Sequence, residues 1–422
     1  MYNTRKISEI LDCEVAVACD FEIKEVSIDS RSVSRPESTL FFALQGANHD
    51  GHDYVGQLYE KGVRSFVVSE RRPEFTPLED ACFLEVSDTL EALQHLAQYH
   101  REHVQAEVVG ITGSNGKTVV KEWLYQLLAD EESVYRSPRS YNSQVGVPLS
   151  LLGIGKNIQT AIIEAGISKP GEMVRLERMI RPEIGIFTHL GDAHGENFES
   201  LQQKLEEKSV LFRDCKCVVG RQGEAMRYIA SAIGQDAVLL VWGEEEELPV
   251  KVRVKSVGLE GREVNVRYGQ QEFDVKIPFA DEASFENSMN ALCVLLYKNI
   301  DPAVIAERIR GLQPVAMRME IKEGINHCVL INDYYNSDAA SFQLALNTLA
   351  MQDAGREKVV ILSDFVDTGT EERALYREVA ALLRKANVTT LIGVGEQISS
   401  CKAYFLLPRC RFYKDTDSFL NP

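Results

Sequence analysis

The sequence has no apolar run approaching the roughly 18–20 residues needed to cross a bilayer. Residues 1–11 carry charges and no apolar core, which excludes a secretory signal. No C-x-x-C pair occurs; the nine cysteines are odd in number and scattered, and only Cys215 and Cys217 lie close together. That spacing excludes the common zinc frameworks, and a disulfide scaffold does not suit a chain of 422 residues. The cysteines read as free thiols of a cytoplasmic protein. An excess of basic residues is missing too: 46 Lys and Arg stand against 63 Asp and Glu, a net charge of −17. A dedicated nucleic-acid or anionic-membrane surface is thereby excluded, because phosphate polymers demand a basic footprint. A phosphate held by one local loop is not. What the chain does have is ordinary for a soluble globular protein, 45% hydrophobic and 26% charged residues. At about 150 residues per domain its length predicts two to three domains.

Pattern separates four regions. Residues 1–105 hold short strand-like runs at 25–28, 40–44, 65–68 and 82–86, a turn-rich stretch at 46–52 and a helical segment at 89–100. Residues 106–235 alternate strand and helix, the signature of a parallel sheet with crossover helices. Period-two alternation at 250–257, a turn at 258–261 and strands at 264–268 and 273–277 predict a small antiparallel excursion. Strand–helix alternation returns beyond 314, with strands at 328–331, 359–362 and 390–394. The helix predicted over 371–385 places Leu375, Val379, Leu382 and Leu383 on one face. The expectation is an α/β protein of three domains, 1–105, 106–313 and 314–422, the last doubly wound, with Gln313-Pro314 as a linker.

The strongest chemical signal is the run at 108–118, which ends in T-G-S-N-G-K-T. An apolar strand enters a glycine-rich turn, and a helix follows with Val120, Trp123, Leu124, Leu127 and Leu128 at helical spacing. Strand, loop and helix are the context a phosphate loop requires. Gly113 and Gly116 let the backbone N–H groups of Ser114 and Asn115 curl around an anion at a helix N-terminus. Lys117 reaches terminal phosphates and the Thr118 hydroxyl suits Mg²⁺. The strict G-x-x-x-x-G-K-[ST] pattern fails because position 111 is Ile, so this is a variant loop.

Further along, two apolar strands end in polar groups. The first, 161–164, ends in Glu164, which at the carboxyl edge of a parallel sheet is a plausible Mg²⁺ ligand beside Thr118. The second, 184–190, runs into Gly191-Asp192-Ala193-His194. Ser200 and Gln203 predict a capping box opening a helix. Leu201, Leu205 and Phe212 form its apolar stripe, and Lys208 lies on that same stripe. An inward lysine is costly unless paired or neutralised, so Lys208 either snorkels to water along its stem or turns toward the nucleotide crevice and works there.

Taken together, the T-G-S-N-G-K-T loop, Glu164-Ala165-Gly166, the 191–194 turn and Lys208 in E-K-S-V-L-F resemble the Mur ligases. These are ATP-dependent amide-forming enzymes of peptidoglycan synthesis, and the resemblance covers nearly the whole chain. It implies a small amino-terminal domain holding a UDP-sugar, carried by Asp29-Ser30-Arg31, residues 40–44, Gly46 and Asp50-Gly51-His52. It implies a central ATPase domain in which Asn142 sits in an N-x-N…I-G-V-P-like stretch and Asn287 and Asn290 lie near the adenine. Arg318 and Asp333 match carboxy-terminal residues that approach the phosphates and the ribose, so Lys117 and Arg318 would stabilise developing charge from opposite domains. Residues 333–337, with Tyr335 and Asn336, are similar to the stretch of the branch that adds D-alanyl-D-alanine to a UDP-N-acetylmuramoyl tripeptide. At the position of Lys208 the family carries a lysine carbamylated by CO₂, which would help His194 and Glu164 hold a second Mg²⁺.

The sequence departs from the family pattern at three places. Ser140 replaces an asparagine, Glu286 stands where many relatives have histidine, and the chain stops at residue 422 before a K-G-S-R-like segment. The last departure suggests the front half of a fusion, of the kind some such ligases form with an alanine racemase. Two other readings stand beside this one: a related ligase adding a different amino acid, and a nucleotide-dependent switch or scaffold without ligase activity.

Overall fold

In the first hundred residues, the apolar runs form a parallel sheet of four strands in the order Glu25–Ser27, Thr39–Phe42, Ser65–Val68 and Cys82–Glu85. The two middle strands are buried at every position, as expected of parallel strands covered on both faces. Phe41, Phe66, Val68 and Phe83 build the core with Val55, Leu58 and Phe75. Phe83 stacks on Phe66 at 5.4 Å and on Phe75 at 5.3 Å between ring centroids. The helix Thr89–Glu102 starts where Asp88 accepts hydrogen bonds from the Leu90 and Glu91 amides, and it buries Ala92, Leu93, Leu96 and Ala97. This computed structural model describes residues 2–14, 20–46, 49–191, 197–258, 260–315, 320–333, 339–351, 355–365 and 372–421.

The chain divides into two units, one of residues 1–110, 132–165 and 174–182, the other of residues 111–131, 166–173 and 183–422. The first unit also holds the parallel strands Val134–Arg136 and Thr160–Glu164, the latter buried throughout and ending in its carboxylate. The helix Gly146–Leu152 of the same unit packs near Thr89–Glu102, where Gln94 donates to the Gln144 carbonyl at 3.0 Å.

In the second unit Ile184–Phe187, Cys217–Arg221, Val238–Gly243 and Val250–Gly258 are successive parallel neighbours. The expected antiparallel excursion follows: Val250–Gly258 pairs with Gly261–Tyr268, and that strand with Gln271–Ile277. One face buries Val252, Val264, Val266, Val275 and Ile277. Gly261 turns the chain at φ 118°, where a Cβ would lie 2.0 Å from the Ile277 carbonyl oxygen.

Beyond residue 313 a hairpin, Glu320–Glu323 with Val329–Asn332, precedes three parallel strands, Val359–Ser363, Thr390–Val394 and Arg409–Tyr413. The helix Glu372–Lys385 buries Leu375, Val379 and Leu383 and leaves Leu382 partly buried, as its spacing predicts. Two strands escape the pattern reading. Glu320–Glu323 is mostly charged, and Arg409–Tyr413 mixes arginines into a short exposed run. The expected linker is tied down: Trp123 donates to the Gln313 carbonyl at 2.9 Å, and the Gln313 amide donates to Gln126 at 3.0 Å. Among the described residues no helix is long and apolar enough to cross a membrane.

One carboxylate organises the amino-terminal loop. Asp50 accepts from the His52 amide at 2.9 Å, from His52 Nδ1 at 2.6 Å and from Arg72 at 2.5 Å. Partial burial alone would raise the Asp50 carboxyl, but those bonds outweigh it and hold the group well below the usual carboxylate range. A depressed carboxyl contributes stability above its unfolded pKa, near 4, and loses it as pH falls through the folded value. Asp50→Asn should therefore destabilise the amino-terminal unit by about 2 kcal/mol at pH 7. The gap to the parent protein should close as pH drops below about 4, followed by urea unfolding and by exchange of the Thr39–Phe42 and Ser65–Val68 amides.

Candidate active site

The glycine loop hangs between the strand Glu107–Thr112 and the helix Lys117–Leu128. Gly113 has φ 150° and Gly116 φ 86°, both in the region that favours glycine. Contacts forbid a side chain at either position as well. A Cβ on Gly113 would lie 2.0 Å from Thr188 Oγ1, and one on Gly116 would lie 2.4 Å from Asn287 Oδ1. The helix starts at Gly116 without a side-chain cap, so its first-turn amides face the loop. Val120, Trp123, Leu124, Leu127 and Leu128 are buried as their spacing predicts, and Trp123 stacks on Phe279 at 4.6 Å.

Residues 188–191 lace the loop from one side. The Ser114 amide donates to the His189 carbonyl at 2.6 Å. The Ser114 hydroxyl donates to the Gly191 carbonyl and accepts from the Gly191 amide, both at 2.9 Å. Thr188 Oγ1 donates to the Asn115 carbonyl at 2.5 Å.

Three lysines donate to backbone carbonyls of the loop and its flank, two of them to the same one. Lys117 donates to Gly113 at 2.8 Å and to Ser114 at 3.0 Å. Lys208, 2% exposed, donates to the Gly113 carbonyl at 3.1 Å. Lys204, also 2% exposed, donates to the Gly191 carbonyl at 2.5 Å. Burial, and then the like charges of Lys117 and Lys204, push the Lys208 amine well below its ordinary pKa, with Glu207 opposing. The neutral amine, which is the nucleophilic form, is thereby favoured.

The helix carrying these lysines, Leu201–Ser209, differs from its expected pattern in two respects. Lys208, Leu205 and Phe212 face inward, but Leu201 is 49% exposed and Lys204 takes a buried place instead. The reading missed Lys204 because an apolar stripe counts a lysine as polar; its position one turn before Lys208 was the available signal. The capping box is shifted as well. Ser200 accepts from the Gln203 amide at 3.1 Å, while the Gln203 side chain accepts from Glu199 rather than from Ser200.

Of the two asparagines expected near the adenine, Asn287 lies against Gly116. Asn290 is fully buried and accepts from Trp242 Nε1 at 2.8 Å. Glu286, at the histidine position of relatives, forms an ion pair with Arg221, which also reaches Glu282 at 2.9 Å. Asp333 is half-buried just beyond the strand Val329–Asn332. Thr118 sits in the first helical turn.

In the other unit Glu164 is fully buried. Its amide donates to Ser137 Oγ at 3.2 Å, and Asn142 donates to its carboxylate at 3.4 Å. Arg31 is exposed and forks onto Asp29, with Nε and Nη2 each at 2.9 Å, and this bonding holds the Asp29 carboxyl at about 2. Ser30 accepts at its carbonyl from Lys61 at 3.0 Å. The Gly46 amide closes a turn onto the His49 carbonyl. His52 is 1% exposed, donates through Nδ1 to Asp50 and accepts from the Ser69 amide at Nε2. Both of its nitrogens are engaged by the protein. His194, Arg318, Tyr335 and Asn336 lie outside the described residues. Among the described residues no three His, Cys, Asp or Glu side chains gather as a ready-made metal cluster.

Three family models match in succession. "Mur ligase family, catalytic domain" covers residues 22–101, "Mur ligase middle domain" residues 111–295, and "Mur ligase, glutamate ligase domain" residues 317–408. The UDP-N-acetylmuramoyl-tripeptide–D-alanyl-D-alanine ligase of Bacillus subtilis is 27% identical over 389 residues, 89% of this chain and 80% of that protein. A crystal structure of MurF from Acinetobacter baumannii superposes with a TM-score of 0.85 at 22% identity, covering 98% of this chain and 89% of that one. MurF ligase from Thermotoga maritima in complex with ADP gives 0.76 at 20% identity, covering 93% and 88%. The middle match holds both the glycine loop and the buried Lys208, and flanking matches extend it from residue 22 to residue 408; the chain belongs to the Mur ligase family.

Proposed function

We propose that this chain is a cytoplasmic ATP-dependent ligase of peptidoglycan precursor synthesis, joining D-alanyl-D-alanine to a UDP-N-acetylmuramoyl tripeptide. The observation that carries this reading is the glycine loop gripped by a buried, neutral-leaning Lys208, inside a chain whose relatives bear that ligase name. The loop amides, the helix start and Lys117 suit the phosphates of ATP. The terminal carboxylate of the tripeptide attacks the γ-phosphorus, the bond to ADP breaks, and an acyl phosphate forms. The dipeptide amine then attacks the acyl carbon, a C–N bond forms, the C–O bond to phosphate breaks, and the amine proton leaves. There is little covalent chemistry for the protein in either step; it positions the reactants and offsets charge.

The donors Thr118 and Glu164 are hard oxygens that fit Mg²⁺, and His194 with a carbamylated Lys208 would complete a second site. Mg²⁺ would supply neutralisation of the phosphate charge. Lys208 meets the chemical requirement for carbamylation, since a depressed amine adds to CO₂ with loss of one proton. Arg318 and Asp333 would meet the phosphates and the ribose. Ser30, Arg31, Gly46, His52, Asn142, Tyr335 and Asn336 would hold the UDP-tripeptide and the dipeptide.

Phosphate release should require ATP, UDP-tripeptide and D-alanyl-D-alanine together. Release from ATP alone, unchanged by the other two, would sink the ligase reading, and exchanging the dipeptide for other amino acids tests the acceptor. Lys208→Ala should lower turnover by about 10²–10³-fold, with partial rescue by a short carboxylic acid and none by bicarbonate. Gly116→Ala, which meets Asn287 Oδ1 at 2.4 Å and φ 86°, should raise the KM for ATP by about tenfold or more. An unchanged KM would mean that the loop does not hold the nucleotide.

A further inference from the structure

The two buried lysines of the helix Leu201–Ser209 stand four residues apart, one above the other on a single face. Lys208 donates to the Gly113 carbonyl at 3.1 Å, inside the glycine loop. Lys204 donates at 2.5 Å to the Gly191 carbonyl, which also accepts from Ser114 Oγ at 2.9 Å. The Gly191 amide returns a bond to the same Ser114 oxygen at 2.9 Å, and the Ser114 amide is held by the His189 carbonyl at 2.6 Å. Helix, strand end and loop are thus joined by an unbroken path: Lys204, Gly191, Ser114.

An ammonium removed from water is costly unless its hydrogen bonds are remade, so a lysine at this place is not a neutral filler. We infer that Lys204 is a positioning residue for the nucleotide: by holding the Gly191 carbonyl against Ser114 it keeps the phosphate loop in its binding shape. The inference rests on the proposed function in one respect. On that reading Lys208 is carbamylated and becomes anionic, and Lys204 is the helix's cationic hold on the flank of the loop.

The test uses the whole protein and reads ADP affinity by titration with a fluorescent ADP analogue, beside steady-state KM values. Lys204→Met should weaken ADP and raise the KM for ATP about tenfold, the scale of one buried charge-assisted hydrogen bond. The KM values for UDP-tripeptide and dipeptide should stay within about twofold, and Lys204→Arg should restore most of the ADP affinity. In a Ser114→Ala background Lys204→Met should add less than about twofold, because both changes break one path. Unchanged ADP affinity, full additivity with Ser114→Ala, or a fall in melting temperature with every KM moving in parallel would each overturn the inference. Should the Met variant fail to fold, Lys204→Gln decides: weaker ADP binding supports the inference and equal binding overturns it. ADP affinity is read without the other substrates, so its outcome is separate from that of the phosphate-release experiment.

Discussion

Everything at the candidate site depends on one steric constraint. The chain between the strand Glu107–Thr112 and the helix Lys117–Leu128 turns through two glycines whose missing Cβ atoms leave room for Thr188 and Asn287. The absent side chains let residues 188–191 close over one side of the loop and Asn287 over the other. Backbone carbonyls of residues 113, 115 and 191 are then brought within reach of three donors, Lys208, Thr188 and Lys204. The carbonyls draw the lysines, burial and then the crowding of like charges depress the Lys208 amine, and the deprotonated amine is the reactive form. A backbone conformation is in this way tied to a chemical property 95 residues away in sequence.

The amino-terminal unit uses the same device with opposite charge. Asp50 gathers an amide, an imidazole and a guanidinium and is held ionised by them. In one unit a partly buried carboxylate organises donors around a loop; in the other, backbone oxygens organise lysine amines. Both leave a loop shaped by hydrogen bonds within the protein, whose net charge is −17. Attraction has to be local where the overall field repels.

Much of this was legible before any coordinates. The strand–glycine loop–helix unit was legible because glycine, lysine and threonine fall between an apolar strand and a helical stripe, and each signal constrains the others. Lys208 was legible as an anomaly, a cation on an apolar face. Lys204 was not, because binary patterning assigned that face to Leu201, which points to solvent. The strands Glu320–Glu323 and Arg409–Tyr413 were invisible for a different reason: they are polar strands specified by their partners. The Asp50 network was hidden because hydrogen bonds across 22 residues leave no periodic trace.

The chain contains two tryptophans, and both belong to the unit that carries the glycine loop. Trp123 stands on the loop's own helix, stacked on Phe279 and bonded to Gln313. Trp242 is bonded to Asn290, one turn along the helix Glu282–Tyr297 from the Asn287 that faces Gly116. Indole emission from this protein therefore arises entirely within the unit that holds the glycine loop.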